Sequence, residues 1–428
     1  MKGSIALKKS IIEGKISTND SKSYLHRLLF MAFIQDDLDK ITINLKDEDL
    51  SNDIIATIGV LNTIGADIKV VGKTITVEKR ENFHADEVLD INVLESGSTL
   101  RFVLPVIAKL GLSVRVFGQG RVLSRPLEDL INLLNIHGYV VEHNDGYLNC
   151  YGKLQPTVYK IKGYISSQYI TGLAFALALS KGGQIEIEGT IVSKPYIELT
   201  LQVMKKFGFD ISINSHGFSI KKARKLKKED STFDVEGDWS SAAALFTIGA
   251  FSKGIEVDNL SLKSAQADSA IIDILLRAKA NIEKTNMGYK IANSNLKPII
   301  NLDINSCPDL APSLAVLFAF ADGQTTLFGV RRLQDKESDR LEEIGIFLEK
   351  IGRKFILLDD ELRIFGIDED IDVELTYEGS DHRLAMAYTA ISQRNLQPTI
   401  ISHPECIDKS FVNFYEHLSG IGLIIENK

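Results

Sequence analysis

Residues 21–34 read SKSYLHRLLFMAFI, so that a serine, a lysine and a second serine stand directly before a largely apolar run. A helix that begins here has hydroxyl and basic side chains at its N-terminus, where unpaired N–H groups and a partial positive charge attract anions. Similar openings begin at Ser21-Lys22-Ser23, Ser96-Gly97-Ser98, Ser166-Ser167-Gln168, Asp238-Trp239-Ser240, Asp309-Leu310-Ala311 and Asp381-His382-Arg383. If these six helix ends converge, they form a large anion site.

Each opening belongs to a repeated unit. A β-rich run follows the first helix, then comes an amphipathic second helix and a pair of alternating runs that predicts a hairpin. With a strand before each first helix, the unit is β-α-β-α-β-β. The β-rich runs are residues 41–45, 112–117, 184–188, 255–257, 325–328 and 399–401. The second helices are predicted to end at Gly65, Gly138, Gly208, Gly352 and Gly422, with Lys279 in the fourth copy, since a left-handed C-cap favours glycine.

The last unit is incomplete. It ends after residues 423–425 and lacks one strand of its hairpin, whereas residues 4–7 and 11–16 are surplus β-like sequence before the first unit. We therefore expect the N-terminal segment to fold with the C-terminal half. The sequence predicts an α/β protein of two domains with three units each, residues 20–235 and residues 1–19 plus 236–428, both within the usual domain size.

The composition is that of a globular protein, with 44% hydrophobic and 25% charged residues in a chain of 428. The net charge of −8 argues against a nucleic-acid-binding surface, because such binding depends on exposed lysine and arginine. Any anion site must therefore be local. Cys150, Cys307 and Cys406 lie far apart without metal-ligand spacing, so neither a zinc site nor a disulfide framework is predicted.

No targeting or membrane segment is expected. Residues 1–14 alternate apolar residues with lysine and lack the apolar core of a signal peptide. The longest apolar stretch, residues 310–321, contains Pro312 and Ser313 and is shorter than the roughly 20 residues that span a bilayer. We expect a cytoplasmic protein without membrane partners.

The second helices are predicted to begin with a basic residue. The four motifs are Ser124-Arg125-Pro126, Ser193-Lys194-Pro195, Asp335-Lys336-Glu337 and Asp408-Lys409-Ser410. A cation at a helix N-terminus opposes the macrodipole by roughly 0.3–1 kcal/mol, so this recurrence indicates an offsetting anion. Alternatively, these side chains extend to water at little cost.

Two carboxylates stand among the cations. Asp309 is either an N-cap or a catalytic base, and nearby cations would lower its pKa and keep it ionised. Glu337 follows Lys336, and with Asp339 and Arg340 it is either part of an intrahelical salt-bridge cluster or a proton donor. The sequence leaves both alternatives open. The hydroxyl motifs at residues 21–23 and 166–168 are likewise compatible with plain N-caps.

In their order along the chain, these motifs resemble the 5-enolpyruvylshikimate-3-phosphate synthases, also called 3-phosphoshikimate 1-carboxyvinyltransferases. The resemblance covers nearly the whole chain. Its most specific segments are residues 21–27, 95–101, 125–126, 166–168, 193–196, 308–309, 336–341, 381–386 and Lys409. It implies the enolpyruvyl transferase fold, an inside-out α/β barrel in two domains of three β-α-β-α-β-β repeats, which agrees with the repeats counted above.

The resemblance implies transfer of the enolpyruvyl group of phosphoenolpyruvate to the 5-hydroxyl of shikimate 3-phosphate, with release of phosphate from a tetrahedral intermediate. Asp309 is implied to take the hydroxyl proton, Glu337 to protonate the methylene carbon, and Lys22 to share in catalysis. The phosphoenolpyruvate residues implied are Lys22, Gly97, Arg125, Arg340, Arg383 and Lys409. The shikimate 3-phosphate residues implied are Ser23, Arg27, Ser166, Ser167, Gln168, Ser193, Asp309 and Lys336.

The family is inhibited by glyphosate, and the resemblance implies that Gly97 lines the corresponding pocket, while the sequence leaves the sensitivity of this protein open. No metal or organic cofactor is implied. A monomer with two small-molecule substrates and no nucleic-acid partner is expected. The domain 20–235 is expected to serve mainly shikimate 3-phosphate, and the second domain to carry Asp309, Glu337, Arg340, Arg383 and Lys409.

Several positions depart from the family pattern. These are Asn19-Asp20 for Pro-Gly, Glu95 for Asn, Ser98 for Thr, Arg332 for Asn, and the segment Leu333-Gln334-Asp335. Asp20 adds negative charge beside an anion site, so we expect a lower affinity for phosphoenolpyruvate. The other departures concern fine contacts rather than the reaction.

Two alternative functions follow from the same residues. The sister enolpyruvyl transferase acting on UDP-N-acetylglucosamine generally has a reactive Cys or Asp on the loop that corresponds to residues 118–125, where this chain has neither. A catalytically silent anion-binding homologue is the second alternative. The presence of both Asp309 and Glu337 argues against it.

Overall fold

The computed structural model describes residues 3–79, 87–155 and 157–428. Contacts divide the chain into two compact units: unit 1 is Met1–Asn19 with Glu236–Lys428, and unit 2 is Asp20–Val235. The predicted domain ranges also contain residues 1–2, 80–86 and 156, which lie outside the described residues. None of the helices in the described ranges combines enough length with enough apolar character to traverse a lipid bilayer.

The chain begins with strands β1 (Ile5–Lys8) and β2 (Glu13–Ser17), followed by unit 2. The helices of unit 2 are α1 (Lys22–Ile34), α2 (Asn52–Thr63), α3 (Gly97–Leu110), α4 (Glu128–Ile136), α5 (Ser167–Leu179) and α6 (Lys194–Lys206). Its strands are β3 (Lys40–Asn44), β4 (Ala66–Val71), β5 (Thr74–Lys79), β6 (Leu89–Asn92), β7 (Val114–Phe117), β8 (Tyr139–Asn144), β9 (Tyr147–Gly152), β10 (Val158–Lys162), β11 (Gly182–Glu188), β12 (Phe209–Asn214), β13 (Gly217–Lys222) and β14 (Thr232–Asp234).

Unit 1 continues from there with the same alternation. Its helices are α7 (Trp239–Ala250), α8 (Ile271–Arg277), α9 (Ala311–Ala319), α10 (Arg340–Lys350), α11 (His382–Ile391) and α12 (Phe414–Gly420). Its further strands are β15 (Gly254–Asp258), β16 (Asn281–Lys284), β17 (Tyr289–Ala292), β18 (Leu302–Asp303), β19 (Gly323–Phe328), β20 (Lys354–Leu358), β21 (Glu361–Gly366), β22 (Leu375–Tyr377), β23 (Thr399–Ile401) and β24 (Ile424–Asn427). Short 3₁₀ helices span Lys228–Asp230, Ala267–Ala270, Pro308–Leu310, Arg331–Asp335 and Pro404–Lys409.

The strands of each unit form four-stranded sheets of one pattern, in which a parallel pair continues into antiparallel strands. The orders are β14-β3-β5-β4, β6-β7-β9-β8 and β10-β11-β13-β12 in unit 2, and β2-β15-β17-β16, β18-β19-β21-β20 and β22-β23-β1-β24 in unit 1. In one of them Tyr159 pairs with Ile185, and Ile185 with Phe218, so that buried side chains from three strands share one face. The predicted fold class is confirmed.

In two repeats, the strand that precedes the first helix does not pair with the strand that follows that helix. β2 precedes α1 but pairs parallel with β15 in unit 1. β14 precedes α7 but pairs parallel with β3 in unit 2. A strand does precede α7, as the repeat predicts, but it belongs to the sheet of the first repeat rather than to that of the fourth. The physical reason is that the chain passes between the units after β2 and again after β14, so each strand stays with the unit it leaves.

β1 completes the last sheet. It pairs antiparallel with β23 on one side and with β24 on the other, through Ile5↔Ile401 and Ile5↔Asn427. It thus occupies the position of the hairpin strand that the sixth repeat lacks.

The second helices end in the same conformation in all six repeats. The residue two positions after the last helical residue is Gly65, Gly138, Gly208, Lys279, Gly352 or Gly422. The glycines have φ between 70° and 114°, and Lys279 has φ 60°. The predicted left-handed caps are confirmed, including the one copy without glycine.

The first helices form the core of each unit. In unit 2, the rings of Phe30, Phe102 and Phe175, from α1, α3 and α5, lie 5.3–5.7 Å apart. In unit 1, α7, α9 and α11 pack against one another, with Leu245 and Leu314 fully buried. Because strands such as β10 alternate buried and exposed residues, the sheets cover the helices with one face toward solvent.

Candidate active site

The N-terminus of α1 carries a partly buried lysine. Ser21 Oγ accepts a hydrogen bond from Tyr24 N at 3.3 Å and caps the helix. Lys22 Nζ lies 2.9 Å from Asp53 Oδ2, and the two side chains are 13% and 7% exposed. Asp53 stands in the first turn of α2. The carboxylate therefore offsets part of the desolvation cost of the ammonium group and fixes its position.

Arg27 is 3% exposed and is held only by neutral oxygens. Its guanidinium donates to Thr200 Oγ1 at 2.8 Å, Ser23 O at 2.6 Å and Tyr196 O at 3.0 Å. Among the described residues, no carboxylate lies within ion-pair distance of it. Burial lowers the pKa of Arg27 to about 10. A buried guanidinium without a carboxylate favours an external anion.

The N-termini of α3 and α5 lie side by side. Ser96 Oγ accepts from Thr99 N at 3.3 Å, and Ser166 Oγ accepts from Gln168 N at 3.2 Å, so each serine caps its helix. Gln168 Nε2 donates to Ser98 Oγ at 2.9 Å and joins the two ends. Two sets of helix N–H groups are therefore brought together, as an anion site requires.

Two guanidinium groups lie against Gly97 at the start of α3. A Cβ at this position would be 2.7 Å from Arg101 Nη1 and 2.8 Å from Arg125 Nη1. Arg101 donates to Gly97 O at 3.2 Å and to Pro126 O at 2.9 Å. The absence of a side chain at Gly97 thus leaves room for two cations beside a helix N-terminus.

Ser167 and Ser193 are buried polar residues at the starts of α5 and α6. They are 6% and 3% exposed, and Ser193 precedes α6 with φ 52° in the left-handed region. The neighbouring Lys194 is different: it is 66% exposed and lies 3.6 Å from Glu198, one turn along the helix. Lys194 therefore makes an ordinary surface pair.

The other basic residues predicted at second-helix starts are not in those helices. Arg125 lies three residues before α4, Lys336 four before α10, and Lys409 five before α12, since these helices begin at 128, 340 and 414. Lys336 and Lys409 follow or end 3₁₀ turns. The expectation that they oppose a helix macrodipole is wrong, because a turn separates each of them from the first helical N–H groups. Lys409 is nevertheless buried, at 6% exposed.

In unit 1, Arg340 is surrounded by three carboxylates. It is the first residue of α10 and 1% exposed. Its guanidinium lies 2.7 Å from Asp381 Oδ2, 2.8 Å from Asp309 Oδ1 and 2.7 Å from Glu337 Oε2. Burial alone would lower the pKa of Arg340, but the carboxylates raise it well above its usual range. The salt bridge predicted between Glu337 and Arg340 therefore forms, and it is part of a larger cluster of charged side chains around Arg340.

Asp309 also binds Lys336. Lys336 Nζ lies 3.1 Å from Asp309 Oδ1, and the side chains are 16% and 24% exposed. Burial tends to raise the pKa of Asp309, but Lys336, Arg340 and Arg383 hold it well below its usual value. Asp309 lies in the 3₁₀ helix before α9 and caps no helix with its side chain. Its carboxylate is therefore ionised and partly accessible.

Asp381 caps α11 and orders the cluster. Its Oδ1 accepts from Arg383 N at 2.9 Å, and its backbone N–H donates to Tyr377 Oη at 2.9 Å. Arg383 is 8% exposed. Burial lowers the pKa of Arg383, but Asp309, Asp238 and Asp268 raise it above its usual value. The helix ends of unit 1 thus carry a mixed set of cations and carboxylates.

Two departures from the family pattern have a local explanation. Asp20 Oδ2 accepts from Lys46 N at 2.8 Å and Asp47 N at 3.0 Å, so its carboxyl group anchors the loop after β3. Arg332 Nη1 donates to Asn305 O at 3.0 Å. Both side chains therefore have structural contacts within their own units.

The sequence reasoning missed three residues of these clusters. Asp53 pairs with Lys22, Arg101 lies against Gly97, and Asp381 binds Arg340. Arg101 and Asp381 belong to segments that carry the resemblance, but the sequence predicts no role for either residue. Asp53 stands after a serine in a helix start, which is also an ordinary first-turn acid. Only its pairing in space distinguishes it.

Comparisons with known proteins decide the family. The model of the family described as EPSP synthase (3-phosphoshikimate 1-carboxyvinyltransferase) matches residues 7–418. The chain belongs to this family. The resemblance drawn from the sequence motifs is confirmed, and with it the assignment as an enolpyruvyl transferase of the shikimate pathway.

Relatives along the whole chain agree with this membership. A 3-phosphoshikimate 1-carboxyvinyltransferase from Clostridium perfringens is 36% identical over 427 residues, covering 98% of both chains. One from Clostridium kluyveri is 33% identical over 422 residues, covering 98% of this chain and 97% of the relative.

Solved structures share the fold. The EPSP synthase of Acinetobacter baumannii superposes with a TM-score of 0.76 at 21% identity, covering 99% of each chain. The enolpyruvyl transferase NikO from Streptomyces tendae superposes with a TM-score of 0.74 at 16% identity, also over 99% of each chain. At these identities the comparison concerns the fold alone.

Proposed function

We propose that this protein transfers the enolpyruvyl group of phosphoenolpyruvate to the 5-hydroxyl of shikimate 3-phosphate and releases phosphate. Both substrates carry phosphate and carboxylate groups, which match buried cations and helix N-termini. The observation that carries the proposal is the position of Asp309, an ionised carboxylate bound by Lys336 and Arg340. We also propose that the protein is a cytoplasmic monomer.

We assign the binding residues by unit. Unit 2 supplies Ser23, Arg27, Ser166, Ser167, Gln168 and Ser193 to shikimate 3-phosphate, and Lys22, Gly97 and Arg125 to phosphoenolpyruvate. Unit 1 supplies Asp309 and Lys336 to shikimate 3-phosphate, and Arg340, Arg383 and Lys409 to phosphoenolpyruvate. Arg27 supports this assignment, because its buried guanidinium has no carboxylate partner among the described residues.

Asp309 acts as the base in this proposal. A carboxylate held well below its usual pKa is a weak base while Lys336 and Arg340 both bind it. An anionic substrate that binds these cations withdraws part of their field from Asp309 and raises its proton affinity. Asp309 then accepts the proton of the attacking hydroxyl.

Glu337 supplies the other proton: it pairs with Arg340 as a carboxylate, takes up a proton from solvent when the anionic substrates bind and raise its proton affinity, and then passes that proton on. Its addition to the methylene carbon of phosphoenolpyruvate makes the neighbouring carbon electrophilic, and the deprotonated hydroxyl adds there to give a tetrahedral intermediate. Loss of phosphate, with return of a methyl proton to the protein, restores the enol ether. Lys22, Arg125, Arg383 and Lys409 stabilise the negative charge on the phosphate as it leaves.

A phosphate-release assay with purified protein tests the proposal. Phosphate should appear only when both phosphoenolpyruvate and shikimate 3-phosphate are present. Replacement of shikimate 3-phosphate by UDP-N-acetylglucosamine should give no release, and release in that arm would instead identify the sister reaction. Absence of release with either acceptor, in protein that is folded by circular dichroism, would indicate a silent binding homologue and overturn the proposal.

A further inference from the structure

The interior of unit 1 contains a carboxyl group that the proposed mechanism does not use. Asp268 lies in the 3₁₀ helix Ala267–Ala270 and is 1% exposed. Ser240 Oγ donates to its Oδ2, and its buried Oδ1 has no hydrogen-bond partner among the described residues. An ionised carboxylate in this setting is costly, because a single hydroxyl replaces its whole hydration shell.

Arg383 is the complementary buried group. Its side chain is 8% exposed, and its Nε has no hydrogen-bond partner among the described residues. Within that part of the chain, no carboxylate lies within ion-pair distance of Arg383. Asp309, Asp238 and Asp268 act on it only at longer range. In the described part of unit 1, Asp268 Oδ1 is thus a buried acceptor and Arg383 Nε a buried donor without a hydrogen-bond partner, and the two groups are of opposite charge type.

We propose that Asp268 is a positioning residue for the enolpyruvyl transfer: while it is protonated, Arg383 is available to the anionic donor substrate, and when it ionises, it competes with that substrate for the guanidinium. The inference rests on the proposed function, since it takes phosphoenolpyruvate as the anion. Asp268 acts through Arg383 and does not touch the reacting atoms.

The surrounding charges determine the direction of the effect. Burial, followed by Asp309, raises the pKa of Asp268 to about 7, while Arg383 and Ser240 oppose this rise. The groups that face Asp268 from the neighbouring segments are Asp238 of the α7 cap, Asp309 and Cys307 before α9, and Arg383 of α11. Asp273 and Arg277 of the adjacent α8 are exposed to solvent.

Asp268 therefore ionises within the pH range of ordinary activity assays. As pH rises, its new charge compensates Arg383 and weakens the attraction for an anion. By linkage, binding of the anion favours the protonated carboxyl group. The KM for phosphoenolpyruvate should rise with pH, whereas kcat at saturation should change little.

The test is the KM for phosphoenolpyruvate between about pH 6 and about pH 8.5, at saturating shikimate 3-phosphate. In Asp268→Asn the neutral group is permanent, so the increase seen in the wild type, about three- to tenfold, should fall to within about twofold. Asp273→Asn, an exposed change on α8, should behave as wild type. The phosphate groups of the substrates titrate in the same way with every variant. Their contribution therefore cancels when the KM of a variant is divided by the wild-type KM at the same pH.

A second variant keeps the inference testable if Asp268→Asn does not fold. Ser240→Ala removes the hydrogen bond that favours the ionised carboxylate, so the rise in KM should move to higher pH. An unchanged profile in Ser240→Ala, or a wild-type profile in folded Asp268→Asn, overturns the inference.

Equilibrium binding separates this inference from the proposed function. The Kd of phosphoenolpyruvate, measured by calorimetry without acceptor, should show the same pH dependence in the wild type and lose it in Asp268→Asn. Failure of the wild type to release phosphate overturns the function alone. Equal pH dependence of Kd in both proteins overturns the role of Asp268.

Discussion

Arg340 Nη1 lies 2.8 Å from Asp309 Oδ1, and the remaining nitrogens of the same guanidinium bind Asp381 and Glu337. Because Arg340 is 1% exposed and fixed on three sides, it cannot follow Asp309 if that carboxylate moves. The ionised form of Asp309 is therefore stabilised by the fixed guanidinium group of Arg340 together with the ammonium group of Lys336.

Replacement of Asp309 by alanine should lower turnover by about a hundredfold or more, the scale of a general base. The measurement is phosphate release at saturating concentrations of both substrates. Asp359→Ala is the matched control, because Asp359 is an 83% exposed carboxylate of the same unit. Wild-type turnover in Asp309→Ala would contradict the assignment of the base.

Arg340→Gln should lower the free energy of unfolding at neutral pH by about 3–5 kcal/mol, because three carboxylates lose their buried partner. The loss should be smaller near pH 4, where these carboxylates become protonated more readily without the arginine. Chemical denaturation at both pH values measures it. Arg363→Gln is the control, since its pair with Glu361 is partly exposed and worth about 0–1 kcal/mol. An equal effect of both substitutions would argue against the buried cluster.

Lys22→Ala should also lower turnover by about a hundredfold or more, because a preorganised cation is lost. It leaves Asp53 buried without its ammonium partner, so stability should fall as well. Adding Asp53→Asn to Lys22→Ala should recover part of the stability but none of the activity. Lys73→Ala, in the exposed turn between β4 and β5, serves as control. Recovery of turnover in the double variant would show that Lys22 is structural.

Gly97→Ala should raise the KM for phosphoenolpyruvate and weaken inhibition by glyphosate. The new methyl group would lie 2.7–2.8 Å from the guanidinium nitrogens of Arg101 and Arg125, so both side chains must shift. Gly59→Ala is the control, because a Cβ at this helical position meets nothing within 4 Å. Unchanged KM and inhibition constants in Gly97→Ala would count against the placement of Gly97 beside the donor substrate.

Asp20→Asn should stabilise the protein at alkaline but not at acidic pH. Burial raises the pKa of Asp20 from 3.8 to about 6, even though Lys46 N and Asp47 N donate to it. The folded state therefore holds this proton more tightly than the unfolded chain does. The cost of ionisation grows from about pH 4 to about pH 6 and is complete above that.

The expected gain for Asp20→Asn is about 1–3 kcal/mol near pH 8, vanishing near pH 4. Thermal or chemical unfolding at the two pH values measures it. Asp145→Asn, in the exposed turn between β8 and β9, should show no such dependence. A pH-independent difference between Asp20→Asn and the wild type would refute the buried ionisation.

The sequence was sufficient for the repeat, because hydrophobic periodicity and glycine caps are local. The position of Gly138 two residues after α4 follows from the left-handed turn that ends the helix. The supply of a strand by the N-terminal segment followed from counting strands, and β1 does pair with β23 and β24. The glycine caps depend on residues close in sequence, and the placement of β1 depends on the strand that the last repeat lacks.

The partners of the candidate site residues were beyond the sequence. Asp53 and Lys22 are separated by 31 residues, and Arg340 and Asp381 by 41. Nothing local distinguishes Asp53 from an ordinary first-turn acid. The strand order was missed for a similar reason, since β14 looks the same in sequence whether it pairs forward or backward. Both depend on how distant elements meet.

The pairing of β1 has a consequence for biosynthesis. β1 is synthesised well before its partner β24, because Ile5↔Asn427 joins residues 422 positions apart. At about 5–20 residues per second, β1 waits roughly 20–80 s for that partner. Unit 2 is complete once β14 emerges and can fold in the meantime. The nascent chain therefore carries β1, an apolar strand without its partner β24, until residues 424–427 have been synthesised, and any holdase that acts on the nascent chain would have this strand to shield.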